Sequence, residues 1–213
     1  MMKKFIFWAI LPLLAISCEE NPDFDKIDGN MTVYTKANEH VNLQGLNTYY
    51  LPDSILEAGS HKATYWKDEN AQKIISQIAD NMNAKGYERI TDPAQKDKAD
   101  LGLQVSYAEK NTQVLGYGYG WWDYDYWGPW WGGWYYPYPV VYNYNTNNLV
   151  MELVDLKTWN DHKTRATEKL PIVWYGNLSG FVYPNNYSNM SRLLNGIDQA
   201  FAQSAFLDKK QGN

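Results

Sequence analysis

A stretch in the second half of the chain, residues 117–144, limits the possible folds more than any other feature. Its sequence is YGYGWWDYDYWGPWWGGWYYPYPVVYNY, and it holds six of the chain's ten tryptophans. The stretch follows neither the 3.6-residue period of a helix nor the two-residue period of a strand, and its glycines and prolines interrupt regular structure. We therefore predict a long insertion loop, which is called the aromatic segment below.

The first 17 residues have the pattern of a secretory signal peptide. Lys3 and Lys4 precede the apolar run FIFWAILPLLAI, which is too short to span a bilayer as a mature helix. Cys18, the single cysteine of the chain, follows directly. Residues 14–18 resemble the lipobox of bacterial lipoproteins, although Ala15 stands where leucine is usual. We expect lipidation of Cys18; the alternative is an unpaired cysteine beside an ordinary cleavable signal.

Lipidation at Cys18 predicts a protein that is anchored to a membrane without spanning it. Two or more acyl chains, at about 0.8 kcal/mol per buried CH₂, are enough for stable attachment. Residues 18–29 are rich in acids and predict a solvated tether. This acidic start also resembles the surface-export signal of Bacteroidetes lipoproteins. We expect an outer-membrane location, facing either the periplasm or the cell surface.

Composition narrows the class of partner. Once residues 1–17 and their two lysines are removed, 17 basic and 24 acidic residues leave a net charge of −7, which argues against nucleic acid as a partner. With a single cysteine, a disulfide within the chain and a thiolate metal site are both excluded. We predict one domain over residues 30–207, followed by a flexible tail at 208–213.

The chain outside the aromatic segment alternates between strand and helix patterns. Residues 101–107 alternate apolar and polar side chains, which predicts a strand with one buried face, whereas 149–155 is apolar on both faces and predicts a central strand. These two strands flank the aromatic segment and predict a β-hairpin. The predicted strands are 31–35, 46–51, 87–90, 101–107, 149–155 and 172–182, and the predicted amphipathic helices are 69–85 and 188–206.

Several single residues have local structural interpretations. Asp68 is a predicted N-cap, and Gly86 is predicted at the C′ position of the same helix. Asp155 is predicted to be a turn or cap residue, Trp174 a core residue, and Gly176 the site of a bulge or a close backbone approach. The fold class that follows is α+β: a two-layer sandwich in which two long helices cover one face of a mixed or antiparallel sheet.

The order of short motifs resembles a known family. Along the chain come the lipobox, TYYLPDSI from Thr48, Lys85-Gly86-Tyr87, Ala99-Asp100-Leu101, the Gly/Tyr/Trp-rich insertion, LVMELVD from Leu149, and Val-Trp-Tyr-Gly from Val173. This order is similar to that of the bacterial lipoproteins called the domain of unknown function 4136 family, over most of the mature chain. The resemblance implies a compact α/β lipoprotein domain in the cell envelope and supplies no catalytic residues. The charged loop at 157–169 is longer than the family pattern.

A search for catalytic or metal-binding chemistry finds little. His40, His61 and His162 lie in separate polar segments and are predicted to be surface residues. Asp123 and Asp125 lie among aromatic residues and would share a face of an extended chain, about 6 to 7 Å apart. A glycosidase pair and a calcium site are alternatives for these two acids, but we favour a solubilising role because a Gly-flanked loop is a poor rigid cleft. We expect no enzyme activity, no cofactor and no metal.

The aromatic segment is the candidate functional site, because flat rings with polar tips suit binding surfaces. Three ligands are considered: another envelope protein, which we favour, a glycan, and the headgroup layer of the membrane. In a fourth arrangement the segment folds back over one face of the sheet. The candidate binding residues are Trp121, Trp122, Asp123, Asp125, Trp127, Trp130, Trp131, Trp134 and Tyr135.

Overall fold

The structure of the chain, a computed structural model, describes residues 31–58, 63–110, 127, 134–137, 146–161 and 169–209. The signal peptide, Cys18, the acidic tether and most of the aromatic segment lie outside these residues, so what the sequence predicts for them stays a prediction. Within the described ranges, no helix combines the length and the apolar character needed to cross a membrane.

The described residues contain nine strands, three α-helices and two 3₁₀ helices. The strands are β1 Thr32–Ala37, β2 Thr48–Tyr50, β3 Ile55–Glu57, β4 Thr64–Trp66, β5 Glu88–Ile90, β6 Leu101–Ala108, β7 Trp134–Tyr135, β8 Asn148–Asp155 and β9 Leu170–Ser179. The α-helices are α1 Glu69–Ala84, α2 Leu156–Asp161 and α3 Tyr187–Ala202, and short 3₁₀ helices occupy Pro93–Lys98 and Ala205–Leu207.

One mixed sheet organises the domain, in the order β1-β9-β8-β6-β2-β5. β6 and β8 pair antiparallel over their full length, from Leu101 opposite Asp155 to Ala108 opposite Asn148. This ladder shows the antiparallel pairing that was predicted for the two strands flanking the aromatic segment. β8 lies between β9 and β6, as predicted for a central strand, and β2 pairs parallel with both β5 and β6. The predicted mixed-sheet α+β class is confirmed.

Helices α1 and α3 cover one face of this sheet, as predicted. Asp68 caps α1 through a carboxylate oxygen that accepts from the backbone N–H of Ala71, and Gly86 ends the helix with a φ of +100°, which glycine adopts readily. The helices contribute Ala71, Ile74, Ile75, Ile78, Ala79, Met82, Met190, Leu193, Ile197, Ala200 and Phe201 to the core. The sheet contributes Leu101, Leu103, Val105, Tyr107, Leu149, Met151, Leu153, Trp174 and Leu178.

The prediction that β6 buries only one side is wrong. All eight residues of β6 are buried, including Gly102, Gln104 and Ser106, which were expected to face solvent. A second core lies on that face, and it contains two tryptophans from the aromatic segment. Its members are Tyr50, Ala99, Trp127, Trp134, Val150, Val154, Leu156, Leu170, Ile172 and Tyr175. The sheet is therefore covered on both faces, which an alternating strand pattern does not predict.

Several element boundaries differ from the prediction. β9 ends at Ser179 instead of residue 182, because Gly180 turns the chain with a φ of +90°. Helix α2 occupies the start of the predicted charged loop, and Asp155 caps it by accepting from the backbone N–H of Thr158 at 2.9 Å. Strands β3 and β4 are additional elements.

The packing of β9 tests one prediction for Trp174 and one for Gly176. Trp174 is buried, which confirms its core role, and its indole Nε1 donates to the Ser204 hydroxyl at 2.8 Å. A Cβ added at Gly176 would lie 2.8 Å from Cη2 of Trp174 and 2.9 Å from Cε of Met151. Gly176 therefore permits a close approach, while the irregularity in strand pairing lies elsewhere, between Leu153 and Val154.

The chain after α3 is packed where it was predicted to be frayed. Leu207 is fully buried in the helix-side core. Asp208 forms an ion pair with Lys85 at 2.7 Å, and the backbone N–H of Lys209 donates to the Lys85 carbonyl. Residues 208 and 209 of the predicted tail therefore contact the folded domain, and residues 210–213 lie outside the described ranges.

Asp100 joins three elements at the start of β6. One of its carboxylate oxygens accepts from the backbone N–H groups of Asn47 and Thr48, at 2.6 and 3.0 Å, and its other oxygen lies 3.4 Å from Nζ of Lys157. Its backbone carbonyl accepts from the N–H groups of Leu156 and Lys157. Burial acts to raise the pKa of this carboxyl, but the backbone hydrogen bonds and the lysine outweigh burial, so the pKa is lowered.

We expect Asp100→Ala to lower the free energy of unfolding by about 1–3 kcal/mol, because it leaves two backbone N–H groups without their acceptor. A group with a lowered folded pKa stabilises the fold above its unfolded pKa and loses that effect as the pH falls through the folded value. The stability difference between wild type and Asp100→Asn should therefore be present at neutral pH and vanish in strong acid, below the ordinary carboxyl pKa of about 3.9. Urea unfolding from pH 7 to pH 2 measures it.

The control is Glu39→Gln, at an exposed carboxylate. A constant difference between wild type and Asp100→Asn across this pH range would contradict the role assigned to the charged carboxylate.

Candidate functional site: the sheet face beneath the aromatic segment

The face of the sheet opposite α1 and α3 carries a row of buried polar side chains. Gln104 of β6 pairs with Glu152 of β8, and Glu152 pairs with Tyr175 of β9, so these three side chains point to the same face. Asn177 shares that face two residues along β9. The exposed fractions of Gln104, Glu152 and Asn177 are 2%, 0% and 2%. Buried polar groups require hydrogen-bond partners, so this face needs a cover that supplies them.

Trp127 of the aromatic segment provides part of that cover. Its indole Nε1 donates to Oε1 of Gln104 at 2.9 Å, and its exposed fraction is 1%. Its ring meets those of Tyr50 and Trp134 at centroid distances of 6.1 and 5.3 Å. A Cβ added at Gly102 would lie 3.2 Å from Cη2 of Trp127. Glycine at position 102 thus allows the indole to lie directly on the sheet.

Strand β7 provides a second part of the cover. Trp134 and Tyr135 pair in parallel with Leu170 and Pro171 at the start of β9. Trp134 is buried with an exposed fraction of 1%, whereas Tyr135 is only partly buried, as strand alternation predicts for neighbouring residues. This pairing holds the segment beside the sheet through backbone as well as side-chain contacts.

Tyr136 brings the hydrogen-bond donor that the buried carboxylate requires. Its hydroxyl donates to Oε1 of Glu152, and its ring lies edge-on to Tyr175 at a centroid distance of 5.3 Å. Gln104 is also bonded within its own strand, because its Nε2 donates to the Ser106 hydroxyl at 3.2 Å. The aromatic segment and the polar row therefore form one hydrogen-bonded layer.

The nine candidate binding residues are divided by the structure. Trp127 and Trp134 are buried against the sheet, so the expectation that they belong to an exposed surface does not hold for them: their contacts are those of core residues. Tyr135 is partly exposed beside them. The other six, Trp121, Trp122, Asp123, Asp125, Trp130 and Trp131, lie outside the described residues, and their binding role stays a prediction. Trp127 and Trp134 are instead found in the fourth arrangement, in which the segment folds back on the sheet.

Sequence reasoning missed the polar row itself. A signal for it was present: Glu152 interrupts the apolar run of β8, and Gln104 and Ser106 lie on the face of β6 that was assigned to solvent. Their common face becomes evident only with the β6–β8 register. Among the residues that the structure describes, no three His, Cys, Asp or Glu side chains gather as a metal site would require. His40 is exposed, as predicted, and the other two histidines lie outside the described ranges.

Removing the Trp127 indole should destabilise the whole domain. We expect Trp127→Ala to lower the free energy of unfolding by about 3–5 kcal/mol, as for other buried aromatic residues. Trp127→Phe should lower it by about 1–3 kcal/mol, because the buried Gln104 oxygen loses its indole donor. Chemical denaturation measures both, with the partly exposed Tyr135→Ala as the control. Unchanged stability in Trp127→Ala would show that the segment is not part of the core.

Comparisons with known proteins find one family model and several solved structures that are similar to this chain. The family model described as Domain of unknown function (DUF4136) matches residues 33–204. A crystal structure of a DUF4136 family protein from Bacteroides thetaiotaomicron is similar to this chain, with 37% identity, a TM-score of 0.69, and coverage of 84% of this chain and 98% of that one. The PelC dodecamer from Paraburkholderia phytofirmans matches at 13% identity and a TM-score of 0.41, over 81% of this chain and 95% of that one. No curated protein matches the sequence.

Proposed function

This chain belongs to the DUF4136 family, and from that premise we propose that it is a non-enzymatic, lipid-anchored protein of the bacterial cell envelope. In this proposal acyl chains on Cys18 hold it in the outer membrane, and the aromatic segment binds another envelope protein. The observation that carries the proposal is the attachment of the segment to the sheet through Trp127 and Trp134.

Attachment to a rigid sheet favours binding for a physical reason. A free loop loses conformational entropy when it binds a partner, whereas a segment that is already held in place loses less. Trp127 is hydrogen-bonded to β6, and β7 is paired with β9, so the segment is held at both points. The proposal places the neighbouring tryptophans of the segment on this support.

The composition of the segment suits a protein partner. Tryptophan and tyrosine are enriched among the residues that contribute most to protein–protein binding energy. Tyr135 is the described example of a ring that the sheet does not fully bury. We place the binding surface on residues of the segment that lie outside the described ranges: Trp121, Trp122, Trp130 and Trp131, with Asp123 and Asp125 close to them in the sequence.

A binding role fits the chemistry of the polar row better than a catalytic one. Glu152 is fully buried and accepts a hydrogen bond from Tyr136. Its partners in strand pairing are Gln104 and Tyr175. A catalytic acid or base must contact its substrate, whereas this carboxylate is fully buried beneath the aromatic cover.

The test compares two sets of substitutions in protein that begins at Glu19. Alanine at Trp121, Trp122, Trp130 and Trp131 should abolish retention of an envelope protein in a pull-down, while thermal stability stays close to wild type. Trp134→Ala, a matched substitution of a buried indole, should instead lower the melting temperature. Retention is measured by mass spectrometry of proteins captured from solubilised envelopes.

Loss of folding in the four-residue variant, with no partner captured by the wild type, would contradict the proposal and leave the segment as a structural cover. Lipidation is tested separately: full-length protein should incorporate labelled palmitate in a bacterial host, and Cys18→Ser should not.

A glycan is the second candidate ligand, and the composition of the aromatic segment favours it. Tryptophan and tyrosine rings stack on sugar rings, and carboxylates such as those of Asp123 and Asp125 bond sugar hydroxyls. If the ligand is a glycan, purified envelope polysaccharide should quench tryptophan fluorescence and compete with the captured protein. Saturable quenching that disappears in the four-tryptophan variant supports this ligand, and absence of quenching excludes it.

A further inference from the structure

A second exposed surface lies away from the aromatic segment's attachment points, in the loop between β9 and α3. Val182, Tyr183 and Tyr187 have exposed fractions of 61%, 38% and 90%, and they are the large apolar side chains that the described residues expose. Such a group of exposed apolar and aromatic residues on a small domain usually contacts something. It is called the β9–α3 patch below.

The patch is held in place from beneath. The ring of Tyr183 packs against Trp66 and Tyr107, at centroid distances of 5.2 and 6.2 Å. The backbone carbonyl of Tyr183 accepts from the side chain of Asn189, and that of Pro184 accepts from the side chain of Asn70 on α1. The loop is thus fastened to both helices and to β6, and its apolar side chains remain outside.

Strand pairing places the patch beside the point where the chain enters the domain. β1 runs antiparallel to β9 with Thr32 opposite Ser179, so residue 31 lies next to Gly180 and two residues from Val182 along the loop. Thirteen residues lie between Cys18 and Thr32. For the solvated tether that the sequence predicts, a random coil of this length has a mean end-to-end distance of about 20 Å. A lipid anchor on Cys18 therefore keeps the membrane surface near this end of the sheet.

We propose that the β9–α3 patch rests on the lipid bilayer that holds the anchor, with Val182 and Tyr187 inserted at the boundary between headgroups and acyl chains. This inference rests on the lipid anchor of the proposed function, but not on partner binding by the aromatic segment. Tyrosine rings favour this boundary because their bodies are apolar and their hydroxyls stay hydrated. Strands β1, β6, β8 and β9 would then each have one end near the membrane and the other end away from it.

The charges around the patch indicate which bilayer it fits. Burial, and then the carboxylates of Asp68, Glu57 and Glu109, raise the pKa of Tyr183, so its hydroxyl is neutral and acids surround it. These acids oppose contact with an anionic lipid surface. The N-terminus of α3, whose first turn lacks acidic residues, points the positive end of the helix dipole toward the same surface and favours phosphate groups. The patch therefore fits a zwitterionic phospholipid bilayer.

Because the sequence has no cysteine after Cys18, one introduced cysteine can be labelled specifically. Protein that begins at Glu19 receives an N-terminal histidine tag, which replaces the anchor by binding nickel-chelating lipid in phosphatidylcholine vesicles. A single cysteine at exposed Ser188, beside Tyr187, carries an environment-sensitive fluorophore. A matched cysteine at exposed Ala94 carries it at the opposite end of the sheet, in the 3₁₀ helix that precedes β6.

The label at Ser188→Cys should shift to the blue and emit more strongly on the vesicles, and the label at Ala94→Cys should not change. Combining Ser188→Cys with Val182→Ser and Tyr187→Ser should abolish the shift without a change in melting temperature, since both removed side chains are exposed. Added phosphatidylglycerol should weaken the shift at constant tag binding.

An equal change in emission at both positions on binding vesicles would overturn the inference. A shift that persists after the Val182→Ser and Tyr187→Ser substitutions would also overturn it. The histidine tag makes the result independent of lipidation, which the palmitate assay of Cys18→Ser tests on its own. Partner retention by the aromatic segment should be unaffected by Val182→Ser and Tyr187→Ser. Failure of the anchor, of partner binding and of membrane contact are therefore distinguishable.

Discussion

The fold depends on excluding water from both faces of the β6–β8 ladder. β6 is buried along its whole length, and β8 is buried except at its last residue. Helices α1 and α3 cover one face with aliphatic side chains, but the other face carries Gln104 and Glu152. An aliphatic cover would not supply the donors that bond the Oε1 atoms of these two side chains. Trp127 and Tyr136 meet both requirements, because their rings exclude water while an indole N–H and a phenol O–H bond the amide and the carboxylate.

The two ends of the sheet have different roles. At the start of β6, Asp100 joins β2, β6 and α2 through hydrogen bonds from backbone N–H groups, and residues 207–209 pack beside the end of α1. At the other end, the chain enters at β1, the aromatic segment leaves β6 and returns to β8, and the β9–α3 patch is exposed. Hydrogen bonds and packing thus stabilise the domain at the first end. The other end carries the patch that we propose to contact the membrane.

The aromatic segment combines a structural role with the proposed binding role. Its inward residues, Trp127, Trp134 and Tyr136, are bonded to or packed on the sheet, so a partner surface built from the same segment would inherit the rigidity of the ladder. Composition alone therefore does not separate a binding surface from a cover.

The sequence by itself determined the elements whose pattern is local. The stripe of α1, its Asp68 cap and Gly86 end, and the doubly apolar β8 follow from the chemistry of neighbouring residues, and the order of short motifs pointed to the family that the comparisons show. Only the tertiary structure decided the environment of Gln104 and Ser106, the packing of Leu207, and the burial of Trp127 and Trp134. The physical reason is that the alternation of polar and apolar residues is set within one strand. The cover over β6, in contrast, comes from a segment that begins after that strand ends.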